Sequence, residues 1–276
     1  MVQLMGILNV TPDSFSDGGK FQGLEAALQH AINMEKDGAS IIDVGGESSR
    51  PNSKQISLNE ELDRVIPIIK ELKKKLSVPI SIDTRKAKVA YEACEVGADI
   101  INDISAGEDP EMFEVAKLKN KKIILMHMRG NPDSRYNLLP SENIVEEVCS
   151  FLISRAYEAE KKGIDRENII LDPGIGFGKN IDENFELIKN LKIFTKLPYK
   201  ILLGASRKSF LRGSEDPSGY NLEPDDAQLA FISRRIGGSI AVALWGSMEG
   251  ISILRVHDVQ MTMHAVSVFN RLKERQ

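Results

Sequence analysis

The 276-residue sequence contains only two cysteines, Cys94 and Cys149. Two cysteines cannot build a disulfide framework or a cysteine metal cluster. Cys94 shares helical spacing with Ala90, and Cys149 shares it with Val145 and Leu152, so both are interpreted as small core residues. The four histidines also lack the spacing of a zinc site. The sequence therefore argues against a disulfide scaffold and against a zinc enzyme.

The sequence also lacks an excess of positive charge and any long apolar segment. Its 36 Lys and Arg against 40 Asp and Glu give a net charge of -4, which argues against nucleic acid as a partner because phosphate binding needs a basic surface. No apolar run approaches the roughly 20 residues that span a bilayer, and no secretory signal precedes the first apolar segment. We expect a cytoplasmic protein without membrane or nucleic-acid partners.

No linker or low-complexity tract divides the chain, and 42% of its residues are hydrophobic. This composition predicts a single domain spanning residues 1–276 with a large core. The longest irregular segments each follow a predicted strand and are interpreted as active-site loops. They comprise residues 11–23, 45–56, 128–140 and 206–224.

Eight short apolar segments alternate with amphipathic helical patterns. The predicted strands are residues 4–10, 40–44, 79–82, 99–101, 122–126, 168–171, 200–203 and 252–256. Between the last two strands the pattern predicts a helix pair, 225–235 and 239–248, interrupted by Gly237-Gly238, and a final helix covers 259–273. Eight βα units predict an α/β fold, a single (β/α)8 TIM barrel with the active site at the C-terminal mouth of the strands. A doubly wound sheet is the alternative.

Polar residues follow or end several of these strands and would converge at that mouth. They are Asn9, Asp83, Asn102, Asp172, Arg255 and His257. Any one of them, such as Asp83, is also explained as a helix N-cap. Two carboxylates and two carboxamides together favour a flat heterocycle that presents several N–H donors.

Three further segments suggest an anionic substrate group and a close approach of backbone to a ligand. Ser206-Arg207-Lys208-Ser209 and the Arg255/His257 pair place cationic groups at adjacent strand ends, although a solvated charge cluster is the alternative. The glycine-rich segment 172–179 matches neither a Walker A loop nor G-x-G-x-x-G. Its glycines are interpreted as letting backbone pass close to a ligand behind Asp172. Any metal should be Mg²⁺ held mainly by phosphate oxygens.

With these residues identified, the chain resembles the dihydropteroate synthase family over essentially its whole length. The motifs that carry the resemblance occur in family order at 8–19, 43–51, 81–84, 101–105, 171–179, 204–208 and 255–259. The resemblance implies condensation of p-aminobenzoate with 6-hydroxymethyl-7,8-dihydropterin diphosphate in folate synthesis. Pyrophosphate is released with the help of Mg²⁺, and the enzyme is implied to be a homodimer acting on small molecules.

The resemblance also implies roles for individual residues. Matching the pterin positions are Asp83, Asn102, Asp172, Lys208 and Arg255. Matching the diphosphate site are Asn9, Arg255 and His257, with Asn9 also the metal ligand. Matching the p-aminobenzoate site are Phe15, Ser49, Arg50, Pro51, Phe177, Lys208 and Ser209. The implied catalytic residues are Asp83, Lys208, Arg255 and His257.

The sequence departs from the family pattern at a few positions. Ser49 stands where the family usually has Thr, Asn180 follows Lys179 in place of Thr, and the segment 212–235 is longer than in compact bacterial members. Two other functions are considered: a methyltetrahydrofolate:corrinoid methyltransferase and a non-catalytic pterin-binding paralogue. The cationic segment 206–209 counts against the first, because that chemistry has no diphosphate to hold.

Overall fold

A computed structural model describes residues 2–10, 19–47, 55–130, 140–212 and 224–273. The strands are β1 Gln3–Asn9, β2 Ile41–Gly45, β3 Ile80–Asp83, β4 Ile100–Asp103, β5 Lys122–Met126, β6 Ile169–Asp172, β7 Lys200–Leu203 and β8 Ile253–Val256. The α-helices are α1 Gly19–Lys36, α2 Leu58–Lys75, α3 Ala87–Val96, α4 Met112–Leu118, α5 Ile144–Lys161, α6 Ile181–Lys189, α7 Leu191–Thr195, α8 Pro224–Glu249 and α9 Val259–Lys273. Within these ranges, no helix is long and apolar enough to cross a membrane.

The eight strands form a closed parallel barrel in sequence order, β1 to β8, with β8 pairing back onto β1. This confirms the predicted (β/α)8 fold. Because all strands run in parallel, their carboxyl ends meet at one rim of the barrel. The register sets Asn9 of β1 opposite Gly45 of β2, and Gly45 opposite Asp83 of β3. Asp83 in turn lies opposite Asn102 of β4.

Two apolar clusters support this rim. A small cluster fills the barrel interior with one residue from most strands: Met5, Ile41, Ile100, Ile124, Ile170, Leu202 and Ile253. A much larger cluster lies between the strands and the surrounding helices. Along β8, Ile253 belongs to the inner cluster and Leu254 to the outer one, so Arg255 continues on the inner face. The interior is therefore apolar below and polar at the carboxyl end.

The predicted helix pair between β7 and β8 is wrong. Residues 224–249 form one helix, α8, which continues through Gly237 and Gly238. A Cβ on Gly238 would lie 3.3 Å from the carbonyl oxygen of Leu211 and 3.2 Å from its Cβ. Glycine costs about 1 kcal/mol in a helix interior. Here, Gly238 allows the turn Ser209–Arg212, which carries part of the site, to pack closely on α8.

Candidate active site

Arg255 lies on the inner face of β8 and forms ion pairs with two carboxylates of neighbouring strands. Its Nε is 2.7 Å from Asp43 Oδ2, and its Nη2 is 2.7 Å from Asp83 Oδ2. The Arg255 side chain is 20% exposed, whereas the side chain of Asp43 is fully buried. Burial lowers the pKa of Arg255, but Asp43 and Asp83 outweigh that effect and the net pKa is raised. The guanidinium therefore stays charged at the centre of the mouth.

Asp83 has a pKa raised to about 7. Burial is the largest cause, Arg255 opposes it, and the negative charge of Asp43 adds to the increase. One guanidinium thus compensates two carboxylates at close range. A cationic ligand group beside Asp83 would favour its charged form.

Asn102 and Asp43 form a buried hydrogen bond at the same level. The Nδ2 of Asn102 donates to Asp43 Oδ2 at 3.1 Å, and the two residues are 3% and 0% exposed. Asp43 was predicted only as the start of the motif 43–51 and not as a site residue. The two-residue periodicity of a strand could have identified it. Asp43 lies two residues before Gly45, the last residue of β2, so both are on the same face of the strand.

Asp172 ends β6 with one oxygen held by its own loop. Its Oδ1 accepts a hydrogen bond from the backbone N–H of Gly174 at 2.7 Å, and the residue is 5% exposed. Burial raises the pKa of Asp172, although the Gly174 N–H and the charges of Lys208 and Arg255 oppose the shift. A Cβ on Gly204 would lie 3.8 Å from Asp172 Oδ2. The second oxygen thus lies beside the end of the next strand, β7.

The glycines after Asp172 allow close approach to protein backbone. Gly174 and Gly178 have φ values of +67° and +66°. A Cβ would lie 1.8 Å from the carbonyl oxygen of His127 at Gly174, and 2.1 Å from that of Arg129 at Gly178. Both distances are far below contact, so only glycine fits. For these two glycines the close neighbour is the loop after β5, whereas the sequence interpretation assigned the freedom to a ligand.

Two lysines shape this glycine loop. The Nζ of Lys179 donates to the carbonyl oxygens of Gly174 at 2.8 Å, Phe177 at 3.1 Å and His127 at 3.3 Å. Burial, together with the charge of Lys208, lowers the pKa of Lys179 to about 7. The Nζ of Lys208 lies 3.9 Å from the ring centroid of Phe177 and also contacts the carbonyl of Ile175. Lys208 and Phe177, which were predicted to share a substrate site, are therefore in contact.

The other predicted cations separate into two roles. Arg207 pairs with a different carboxylate from those that Arg255 contacts: its Nε donates to Asp258 at 3.0 Å. His257 belongs with Ser206, whose Oγ is 3.1 Å from His257 Nδ1. Ser209 is exposed at the start of the turn after Lys208. The cationic segment is therefore not a single cluster.

Asn9 is the exposed last residue of β1. A Cβ on Gly45 would lie 3.8 Å from both Asn9 Oδ1 and Asp83 Oδ2, so the carboxamide lies at the rim near Asp83. Within the described ranges, no three His, Cys, Asp or Glu side chains are grouped so as to hold a metal ion. Four residues predicted for the p-aminobenzoate site lie outside the described residues: Phe15, Ser49, Arg50 and Pro51.

The chain is similar to known proteins over most of its length. The family model described as "Pterin binding enzyme" matches residues 5–257. The dihydropteroate synthase of Bacillus subtilis (strain 168) is 46% identical over 258 residues, which cover 93% of this chain and 84% of that protein. The chain belongs to the dihydropteroate synthase family.

Solved structures of dihydropteroate synthases support the assignment. A Yersinia pestis dihydropteroate synthase in complex with a sulfonamide drug has a TM-score of 0.87 and 37% identity, covering 99% of this chain and 94% of that one. A Xanthomonas albilineans dihydropteroate synthase with 4-aminobenzoic acid has a TM-score of 0.87 and 36% identity, covering 99% and 93%. The similarity thus extends over nearly the whole chain.

Asn180, which departs from the family pattern, caps α6. Its Oδ1 accepts from the backbone N–H of Glu183 at 2.8 Å, and Glu183 Oε2 accepts from the N–H of Asn180 at 2.7 Å. Asn180→Ala should lower the free energy of unfolding by about 1 kcal/mol, whereas Asn180→Thr should change it by less than about 0.5 kcal/mol, because a threonine hydroxyl also caps. Urea unfolding of the three proteins measures both values. Equal losses in both variants would contradict the capping role.

Because His127 is buried, we expect the free energy of unfolding to fall at acidic pH. Burial, with Lys179 and Arg129 nearby, lowers the pKa of His127 to about 2. The unfolded chain takes up this proton near pH 6.5, so it binds more protons than the folded state below that pH and stability falls as pH falls. The expected slope is about 1.4 kcal/mol per pH unit once pH is below about 6. The measurement is urea unfolding between pH 7 and 5.

The matched variants are His127→Gln, which removes the titrating group, and His264→Gln at an exposed position of α9. The difference in unfolding free energy between wild type and His127→Gln should shrink as pH falls. His264→Gln controls for replacing an exposed histidine by glutamine. A pH-independent difference for His127→Gln would show that the imidazole takes up its proton over the same pH range in the folded and the unfolded chain, which would contradict the lowered pKa.

Proposed function

We propose that this chain is a dihydropteroate synthase, which condenses 6-hydroxymethyl-7,8-dihydropterin diphosphate with p-aminobenzoate to form 7,8-dihydropteroate and pyrophosphate. The observation that carries the proposal is the ring of buried acceptors around one guanidinium, where Arg255 pairs with Asp43 and Asp83 beside Asn102. A chain that needed only a stable barrel would fill this layer with apolar side chains. The family assignment supplies the reaction class.

The pterin ring is assigned to the buried polar layer. The proposed contacts are Asp83, Asn102, Asp172, Lys208 and Arg255. Carboxylate and carboxamide oxygens match the amino and ring N–H donors of a pterin edge. Each hydrogen bond to a charged acceptor contributes about 1.5–3 kcal/mol.

The diphosphate is assigned to Asn9, Arg255 and His257 at the rim. The Oδ1 of Asn9 fits a Mg²⁺ site because it offers one neutral oxygen, and Mg²⁺ is usually bound by few protein oxygens together with substrate phosphates and water. When bound, Mg²⁺ supplies positive charge to the departing pyrophosphate. Arg255 and His257 bind and orient the phosphates from the protein side.

p-Aminobenzoate is assigned to the edge formed by Phe177, Lys208 and Ser209, joined by Phe15, Ser49, Arg50 and Pro51 of the two loops outside the described residues. The Lys208 ammonium group lies over the ring of Phe177. The cation and the aromatic ring therefore form one continuous surface. Such a surface suits a flat ring that carries a carboxylate. Lys208 then borders both substrates.

The proposed chemistry requires no strong base. The aromatic amine is neutral at pH 7, and its nitrogen forms a bond to the methylene carbon of the pterin as the bond from that carbon to the diphosphate oxygen breaks. The nitrogen then loses one proton to water or to the released pyrophosphate. Arg255 and His257 stabilise the negative charge of the leaving group, and Asp83 lies where positive charge develops on the pterin. Lys208 holds the two rings in line. These four residues are the proposed catalytic residues.

The experiment that tests the proposal measures pyrophosphate release by the purified protein. Release is expected only when the pterin diphosphate, p-aminobenzoate and Mg²⁺ are all present. Release without p-aminobenzoate would indicate hydrolysis, and no release with all three would favour a non-catalytic pterin-binding paralogue. A single domain over 1–276, a homodimer and a cytoplasmic location are part of the same proposal.

A further inference from the structure

Asp43 holds two of the residues assigned to the pterin. It is 0% exposed, and its Oδ2 accepts from Arg255 Nε at 2.7 Å and from Asn102 Nδ2 at 3.1 Å. We propose that Asp43 is a positioning residue that fixes the carboxamide of Asn102 with its oxygen toward the substrate, as an acceptor. This inference rests on the proposed function, because it assigns the polarity of one pterin contact.

The argument starts from the difference between a carboxylate and a carboxamide. The oxygen and the NH2 group of Asn102 have nearly the same shape, so packing alone does not decide which faces the ligand. An ionised Asp43 has only acceptors. Asn102 must therefore turn its NH2 group toward Asp43, which leaves Oδ1 as the atom available to a ligand donor.

The same carboxylate also orients Arg255. Asp43 takes Nε and Asp83 takes Nη2, so two contacts on different atoms fix the plane of the guanidinium. A single carboxylate would leave that plane free to rotate about one hydrogen bond. Asp43 thus orients Asn102 and, together with Asp83, orients Arg255, and it need not touch the substrate itself.

Asp43 is poorly explained as a residue that only stabilises the fold. Its Oδ1 is buried and makes no hydrogen bond to the part of the chain that the structure describes. An unpaired buried oxygen is costly, and an apolar residue of similar size would avoid the cost. The gain from Asp43 must lie in the orientation of its two partners.

The test is a double-variant cycle that exchanges the two groups. Asp43→Asn, Asn102→Asp and the double variant are titrated with 6-hydroxymethylpterin by calorimetry at pH 8. Asp43→Asn frees the amide of Asn102, and Asn102→Asp sets two carboxylates against each other, so each should weaken binding by about tenfold or more. In the double variant the new amide on β2 donates to the new carboxylate on β4, and an acceptor again faces the ligand, but the NH2 group replaces the oxygen that accepts from Arg255 Nε in wild type. Partial rescue is therefore expected: the double variant should bind at least about threefold more tightly than the product of the two single losses predicts.

If the double variant loses as much pterin affinity as the two single losses multiplied together, the proposed role of Asp43 is overturned. A wild type that does not bind the pterin would instead contradict the proposed function. If Asp43→Asn does not fold, Asp43→Glu replaces it, because it keeps the charge but moves the carboxylate by one methylene; unchanged pterin affinity would then overturn the inference. Asp103→Asn is the control, since Asp103 is buried at the same strand end but bonds Ser105 and Gly107. Its pterin affinity should stay at the wild-type value.

Discussion

Arg255→Met should lower the free energy of unfolding by about 3–5 kcal/mol, the usual cost of removing one partner from a buried ion pair. Arg255 is the partner of both Asp43 and Asp83, at 2.7 Å each. Methionine fills a similar volume but leaves two buried carboxylates facing each other without a counter-ion. Urea unfolding at pH 7 measures the loss.

The pH dependence of this variant provides a second readout. Asp83 already has a pKa raised to about 7 by burial, against the opposing effect of Arg255. Without Arg255 the pKa should rise further, so the folded state binds a proton that the unfolded state, with an ordinary aspartate, has lost. The slope of stability with pH is then negative, and the loss relative to wild type should be smaller at pH 5 than at pH 8.

Arg207→Met is the matched control. Arg207 also pairs with an aspartate, Asp258, but its side chain is 34% exposed, against 20% for Arg255. A pair this exposed contributes about 1 kcal/mol or less. Equal losses for the two arginine variants would show that Arg255 is no better buried in solution than Arg207.

The barrel could be predicted from the sequence because the strand pattern and the helix pattern both indicate eight repeated units. Short apolar segments with polar ends recur eight times, and helical patterns separate them. The predicted bounds of β5 and β7 match those observed. At β3, β4 and β6 the strand includes the polar residue Asp83, Asn102 or Asp172 that was predicted to follow it. These residues belong to the strands because their backbones still pair with a neighbouring strand, Asp83 with Asn102 and Asp172 with Met126.

The direction of individual side chains was beyond the sequence. Arg207 and Arg255 both occur in cationic segments near strand ends, yet one pairs with Asp258 and the other with Asp43. Asp43 itself lies in the middle of a strand that reads as apolar. Its polar partners come from β4 and β8, which are distant in sequence. Local patterns carry no information about such contacts, because they depend on which strands are neighbours and in what register.

Asp172→Asn should weaken pterin binding by about 30-fold or more while leaving the protein as stable as wild type, or more stable. The backbone N–H of Gly174 donates to Asp172 Oδ1 at 2.7 Å. In the variant this N–H can be satisfied only by the amide oxygen, so the NH2 group is forced into the position of Oδ2. A donor then faces the donors of the pterin edge.

The expected size follows from leaving buried donors unpaired, which costs about 1–3 kcal/mol for each of two groups, and about 1.4 kcal/mol corresponds to tenfold in affinity. The free energy of unfolding should stay at the wild-type value or rise. Burial raises the pKa of Asp172, which reflects the cost of burying its charge, and a neutral amide avoids that cost. Calorimetry with 6-hydroxymethylpterin and urea unfolding give the two values. Pterin affinity within threefold of wild type, together with a loss of stability, would mean that Asp172 serves the loop through Gly174 and not the substrate.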